Sequence, residues 1–125
     1  MKSALLVALG GALGSVSRWL VGGWMQAALP GSAFPWGTFT VNALGSFAIG
    51  ALLGIPADRG LVPPAARLLL VTGFLGGFTT FSAYSHETLQ LARDGHWPGA
   101  FGYALGSVAV GLVAAYGGWQ LASRI

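Results

Sequence analysis

The sequence contains no cysteine and very few charged side chains. Without cysteine, a disulfide framework and thiolate chemistry are both excluded. Charged residues make up 7% of the chain, whereas soluble domains carry about 25%. The net charge of +3 comes from six basic and three acidic side chains, which is too dilute to indicate a nucleic-acid-binding protein. So few charges cannot cover a water-facing surface, and we therefore expect the lipid bilayer to be the solvent of this chain.

The residue patterns that carry enzyme chemistry are also lacking. The sequence has no glycine-rich phosphate loop, catalytic triad or pair of carboxylates, and its two histidines, His86 and His96, lack the spacing of metal ligands. We therefore expect no enzymatic activity. The first apolar stretch has no acidic residue either, whereas a proton-coupled exporter of cationic drugs needs one at mid-membrane depth.

Long apolar stretches dominate the sequence instead. Hydrophobic residues make up 54% of the chain and the mean hydropathy is +0.70. Each apolar stretch approaches the roughly 20 residues that a spanning helix needs. We predict an all-α membrane protein with a single domain, residues 1–125, whose four transmembrane helices cover 3–28, 34–55, 65–91 and 97–122. The clearest loop is the proline-rich segment 56–64, which contains Asp58.

The third apolar stretch contains an unusual segment, residues 73–84, with the sequence GFLGGFTTFSAY. Glycine loosens a helix, and hydroxyl groups need hydrogen-bond partners inside a membrane. Membrane proteins interrupt a helix in this way chiefly to line a cavity or to bind an ion. The segment is therefore the first candidate for a functional site.

Two polar side chains in the first two stretches each have two interpretations. Arg18 costs roughly 2.5–3.5 kcal/mol at the centre of a spanning helix. It either extends to the membrane interface or places a fixed positive charge in a water-filled vestibule, where it attracts anions. Asn42 either makes an interhelical hydrogen bond or presents its amide NH₂ to an anion.

Aromatic and hydroxyl side chains in the last two stretches also fit an anion path. Phe81 and Tyr84 are three residues apart and share one helical face. Such a pair usually packs against other helices, but the positive edges of the rings can also line a path for an anion. Tyr103 and Ser107 are four residues apart and can supply hydroxyl donors to the same path.

Four signatures together resemble the Fluc (CrcB) family of fluoride channels over the whole chain. The second and third are the specific ones when they occur together. The signatures are residues 10–18 (GGALGSVSR), residues 37–47 (GTFTVNALGSF), residues 73–82 (GFLGGFTTFS), and Tyr103 with Ser107.

The resemblance implies a passive, fluoride-selective channel that exports fluoride across a prokaryotic inner membrane. It implies an antiparallel homodimer with dual topology, in which two pores each use residues of both chains. The third helix is then broken at mid-membrane, where the main-chain carbonyls of Gly76 and Thr79 hold a structural sodium ion at the dimer centre. Arg18 becomes the vestibule charge. The expected pore residues are Asn42, Thr80, Phe81, Ser82, Tyr84, Tyr103 and Ser107.

The chain departs from the family pattern at two positions. Tyr84 stands where the family usually has a second phenylalanine, so a hydroxyl is added that either donates to fluoride or needs a partner of its own. Gly111 stands where the hydroxyl after Ser107 is expected.

Two alternative functions remain at this stage. One is a small dual-topology exporter of drugs or other cations, which shares the size and the four-span plan but needs the missing mid-membrane glutamate. The other is a non-transporting membrane subunit, in which the polar groups only hold helices together. A flux assay separates that subunit from both transporters.

Overall fold

The computed structural model describes residues 1–56 and 59–125, and every regular element in these ranges is a helix. The predicted loop at Asp58 lies outside the described residues. Three of the membrane-capable helices are continuous: α1 (Lys2–Ala28), α2 (Trp36–Gly54) and α6 (Trp97–Ala122).

The third span, Pro64–Arg93, is divided into several helical pieces. It begins with α3 (Pro64–Arg67) and a π-helical segment (Leu68–Leu75), continues with α4 (Gly76–Phe78), and ends with α5 (Phe81–Arg93). Between α4 and α5 the backbone is extended, with φ −85° and ψ 160° at Thr79 and φ −151° and ψ 122° at Thr80. We call these two residues the extended step.

The all-α prediction with four spans is confirmed for the part of the chain that the structure describes. The spans contain 27, 19, 30 and 26 residues and are apolar enough to cross a bilayer. The chain is therefore a multi-pass membrane protein. The antiparallel dimer and the position of the extended step within the bilayer remain predictions.

Small residues set the distances between the helices. A Cβ atom added to Gly14 of α1 would overlap the carbonyl oxygen of Phe74 in the third span. A Cβ on Gly50 of α2 would overlap the backbone of Ala115 in α6, and one on Gly54 would meet Trp119. Residue numbers rise together along this contact, so α2 and α6 run in the same direction. Close backbone approach of this kind is typical of helix packing in lipid.

The single chain leaves most of its apolar surface uncovered. Among the described residues, only Tyr103 and Val41 are large side chains that are completely buried. Phe81, in contrast, is 79% exposed. Packing within one chain therefore leaves most of this ring uncovered.

Candidate functional site

The extended step is held by the side chain of Asn42 on α2. Asn42 Nδ2 donates a hydrogen bond to the carbonyl oxygen of Thr80 at 3.0 Å, and the backbone N–H of Thr80 donates to Asn42 Oδ1 at 2.8 Å. The amide thus satisfies both backbone groups of one residue that lies outside a helix. An NH₂ group has two donors, so one N–H of Asn42 remains for a further acceptor.

This pairing also changes the hydrogen bonding of Gly76. In a continuous helix, the N–H of Thr80 would donate to the carbonyl oxygen four residues earlier, which belongs to Gly76. Because that N–H donates to Asn42 instead, the carbonyl of Gly76 loses its helical partner. A carbonyl oxygen without its donor is a suitable ligand for a hard cation.

The first turn of α5 begins directly after the extended step. The Thr80 hydroxyl accepts a hydrogen bond from the N–H of Ala83 at 3.2 Å and lies 3.2 Å from the hydroxyl of Ser82. Thr80 is therefore the N-cap of α5. The N-terminus of a helix carries a partial positive charge, so this end of α5 favours a nearby anion.

A cleft of about 370 Å³, whose walls are mostly apolar with a few polar side chains, lies beside the extended step, between α2, the third span and α6. It brings together residues that are far apart in the sequence. The predicted site residues that line it are Asn42, Gly76, Thr79, Thr80, Phe81, Tyr84 and Ser107. Ser82 and Tyr103, also predicted for the pore, are not among its lining residues.

The hydroxyl of Tyr84 has a partner within the chain. It donates to the carbonyl oxygen of Ala104 on α6 at 2.9 Å. The ring centroid lies 5.5 Å from that of Phe81 and 5.4 Å from that of Tyr103. Of the two roles expected for the added hydroxyl, the structure therefore shows a hydrogen bond to protein.

Ser107 differs from Tyr84 in this respect. Its Oγ atom is buried and has no hydrogen-bond partner among residues 1–56 and 59–125. Buried hydroxyl groups almost always have a partner. Ser107 also lines the cleft, so this unpartnered hydroxyl lies beside it.

A second cavity, of about 260 Å³, contains Arg18 and Glu87. Arg18 Nη1 donates to the carbonyl oxygen of Thr79 over 3.4 Å, which is a long contact. The Glu87 carboxylate accepts hydrogen bonds from the Thr38 hydroxyl at 2.7 Å and from the Tyr103 hydroxyl at 2.6 Å. Tyr103 is thus bonded to a carboxylate and is separated from the hydroxyls of the cleft.

Thr38 and Glu87 belong to the site but were not predicted from the sequence. Their spacing contained a signal, because Thr38 precedes Asn42 by four residues and Glu87 follows Tyr84 by three. Each therefore shares a helical face with a residue that was recognised.

The fold and the site together define a small multi-pass membrane protein with a cleft beside an interrupted span. The model of one family, described as "CrcB-like protein, Camphor Resistance (CrcB)", matches residues 5–119. The chain belongs to this CrcB family.

Curated relatives match almost the whole chain. A protein of Thermus thermophilus is 50% identical over 121 residues, covering 97% of this chain and 94% of the relative. One from Opitutus terrae is 50% identical over 118 residues, covering 93% and 89%. One from Leptospira interrogans is 46% identical over 121 residues, covering 96% and 94%. Each of these relatives is named "Fluoride-specific ion channel FluC".

We predict that Asn42→Asp destabilises the protein. The substitution replaces a donor with a carboxylate oxygen that faces the carbonyl of Thr80, so one hydrogen bond is lost and a repulsive contact is created. The expected cost is about 1–3 kcal/mol, measured as a lower midpoint of thermal unfolding in detergent. Gln90→Glu makes the same chemical change at an exposed position and serves as the control. Equal midpoints for the two variants would contradict a structural role for Asn42.

Proposed function

We propose that this protein is a passive channel selective for fluoride, which exports the ion across a prokaryotic inner membrane. Two kinds of observation support the proposal. Relatives that are 50% identical over nearly their whole length carry the name of a fluoride-specific channel. The cleft beside the extended step also presents hydrogen-bond donors that have no fixed charge.

Those donors carry the proposal. Fluoride is small and strongly hydrated, so a pore must replace its water with converging donors. The remaining N–H of Asn42 and the hydroxyl of Ser107 are two such groups. The ring edges of Phe81 and Tyr84 add weakly positive contacts. Because none of these groups is an ion, fluoride is bound weakly enough to leave again, as conduction requires.

The second cavity is the proposed entrance to this path. The guanidinium of Arg18 attracts anions and repels cations. Tyr103 and Thr38 are held there by the Glu87 carboxylate, and we assign Tyr103 to this entrance. The Thr80 hydroxyl lines the cleft and lies 3.2 Å from that of Ser82, and we assign both hydroxyls to the proposed path.

A structural sodium ion and a second copy of the chain complete the proposal. The carbonyl oxygens of Gly76 and Thr79 are hard ligands of the kind that such a cation prefers. Arg18 donates to the Thr79 carbonyl over 3.4 Å, and because its positive charge repels a cation there, sodium binding requires the guanidinium to leave this oxygen. One chain offers few oxygens, and an antiparallel partner would supply the matching set. The ion would offset the repulsion between anions in the two pores.

The functional test is anion release from liposomes that contain the purified protein. Fluoride should leave vesicles loaded with potassium fluoride, as followed with a fluoride electrode, while chloride should remain inside equivalent vesicles. Release needs the existing gradient and the potassium ionophore valinomycin, which lets the counter-ion leave as well so that no opposing voltage develops; it needs no other energy source. Retention of fluoride by vesicles that contain correctly folded protein would support a non-transporting subunit. Drug transport driven by a proton gradient would support the exporter.

We predict that Phe81→Ile lowers fluoride release by about tenfold, because an aromatic edge contact of up to about 1.5 kcal/mol is lost. The matched control is Phe101→Ile on α6, since Phe101 is also a largely exposed phenylalanine, at 62%. Both variants should give the same particle size in detergent. Undiminished release by Phe81→Ile would remove Phe81 from the path.

The sodium and dimer proposals predict a particle of two chains that retains one sodium ion. Light scattering after size exclusion gives the mass, and elemental analysis of the same fraction gives the sodium content. Exchange of sodium for a bulky organic cation should reduce fluoride release. A monomeric particle would refute the dimer. A dimer without sodium, conducting equally well in either cation, would refute the ion site.

The absence of native cysteine permits a control on orientation. A single cysteine introduced by Ser123→Cys should be labelled by impermeant thiol reagents from each side of the membrane, in about half of the chains, if the two copies are antiparallel. Labelling from one side alone would contradict dual topology.

A further inference from the structure

Ser46 on α2 carries a further hydroxyl that lines the cleft and has no role in the path proposed for fluoride. It lies one turn after Asn42 and lines the cleft together with Ser107. Hydroxyl side chains in helices commonly donate to a carbonyl of the preceding turn, as Ser85 does to Phe81 and Thr88 does to Tyr84. Ser46 makes no such bond in the part of the chain that the structure describes, so its hydroxyl keeps an unused donor at the edge of the cleft.

The parallel packing of α2 on α6 places Ser46 opposite Gly111. The same register that brings Gly50 to Ala115 pairs these two residues, and a Cβ added to Gly111 would lie 3.4 Å from Ser46 Oγ. Gly111 follows Ser107 by one turn and offers no side-chain donor. The Ser46 hydroxyl therefore occupies the space that a hydroxyl on residue 111 would reach.

We propose that Ser46 donates a hydrogen bond to fluoride at the level of Gly111, and so supplies the donor that α6 lacks there. The inference rests on the fluoride path proposed above. An anion that leaves the hydroxyl of Ser107 needs a new donor within about one helical turn, or about 5.4 Å, because water is scarce inside the membrane. Ser46 is an uncharged donor at that distance along the helices, and it preserves weak binding.

The register between α2 and α6 places the polar side chains of the proposed path at successive levels, one helical turn apart. Thr38 and Tyr103 share one level, because both bind Glu87. Asn42 and Ser107 share the next level in the cleft. Ser46 stands at the third level, where α2 alone provides the hydroxyl.

The experiment compares fluoride release by four full-length proteins in liposomes: wild type, Ser46→Ala, Ser46→Thr and the double variant Ser46→Ala/Gly111→Ser. We expect Ser46→Ala to lower the rate by about tenfold, the effect of losing one hydrogen bond to a charged ligand. Ser46→Thr keeps the hydroxyl and should remain within about threefold of wild type by the same reasoning. The double variant moves the hydroxyl to α6 and should recover most of the lost rate.

Recovery in the double variant is the decisive outcome, because a role of Ser46 in packing alone would not be restored by a hydroxyl on another helix. Ser123→Ala, near the end of the chain, is the control for an unrelated serine. Wild-type release by Ser46→Ala, or a double variant as slow as Ser46→Ala, would overturn this inference and leave the channel proposal standing. Lack of release by the wild type would instead refute the channel itself. Unfolding midpoints in detergent identify any variant that fails to fold; if Ser46→Ala is such a variant, Ser46→Cys takes its place, because a thiol of similar size is only a weak donor and should also slow release.

Discussion

The structure of this protein depends on the two hydrogen bonds between Asn42 and Thr80. Backbone groups that leave a helix inside a membrane must find partners within the protein, because lipid offers none. Asn42 supplies a donor and an acceptor to one residue, which stabilises an extended step inside an otherwise helical span. Without this side chain, the N–H and the carbonyl of Thr80 would both be unpaired. Each unpaired group would cost about 2–7 kcal/mol of folding free energy.

Both parts of the proposed function follow from that one pairing. Taking the N–H of Thr80 away from the helix frees the carbonyl of Gly76, which faces the end of α4 as a ligand for a cation. Restarting the helix at Phe81 places the positive end of α5 beside the cleft. In the proposed function, this one interruption supplies a carbonyl for a cation and a helix end for an anion within a few residues. Neighbouring ions of opposite sign favour each other's binding.

Close packing at glycines sets how the residues of the proposed path line up across the helices. The close contact of α1 with the third span at Gly14, and that of α2 with α6 at Gly50, fix the register of four helices. The register aligns hydroxyls and amides from α2 and α6 at successive levels. Exposed apolar surface, including the ring of Phe81, is where the proposed second copy of the chain would pack.

Composition and motif spacing were sufficient to predict an all-helical membrane protein with four spans. The apolar stretches are long enough to cross a bilayer, and a chain with so few charged residues cannot present a surface to water. The motifs also indicated the family and the unusual segment in the third span. Pairwise contacts were beyond the sequence. Only the tertiary structure decided that Tyr84 donates to Ala104, that Tyr103 binds Glu87, and that Ser46 stands opposite Gly111. Such contacts depend on the register between helices, and small residues permit several registers until the whole bundle is packed.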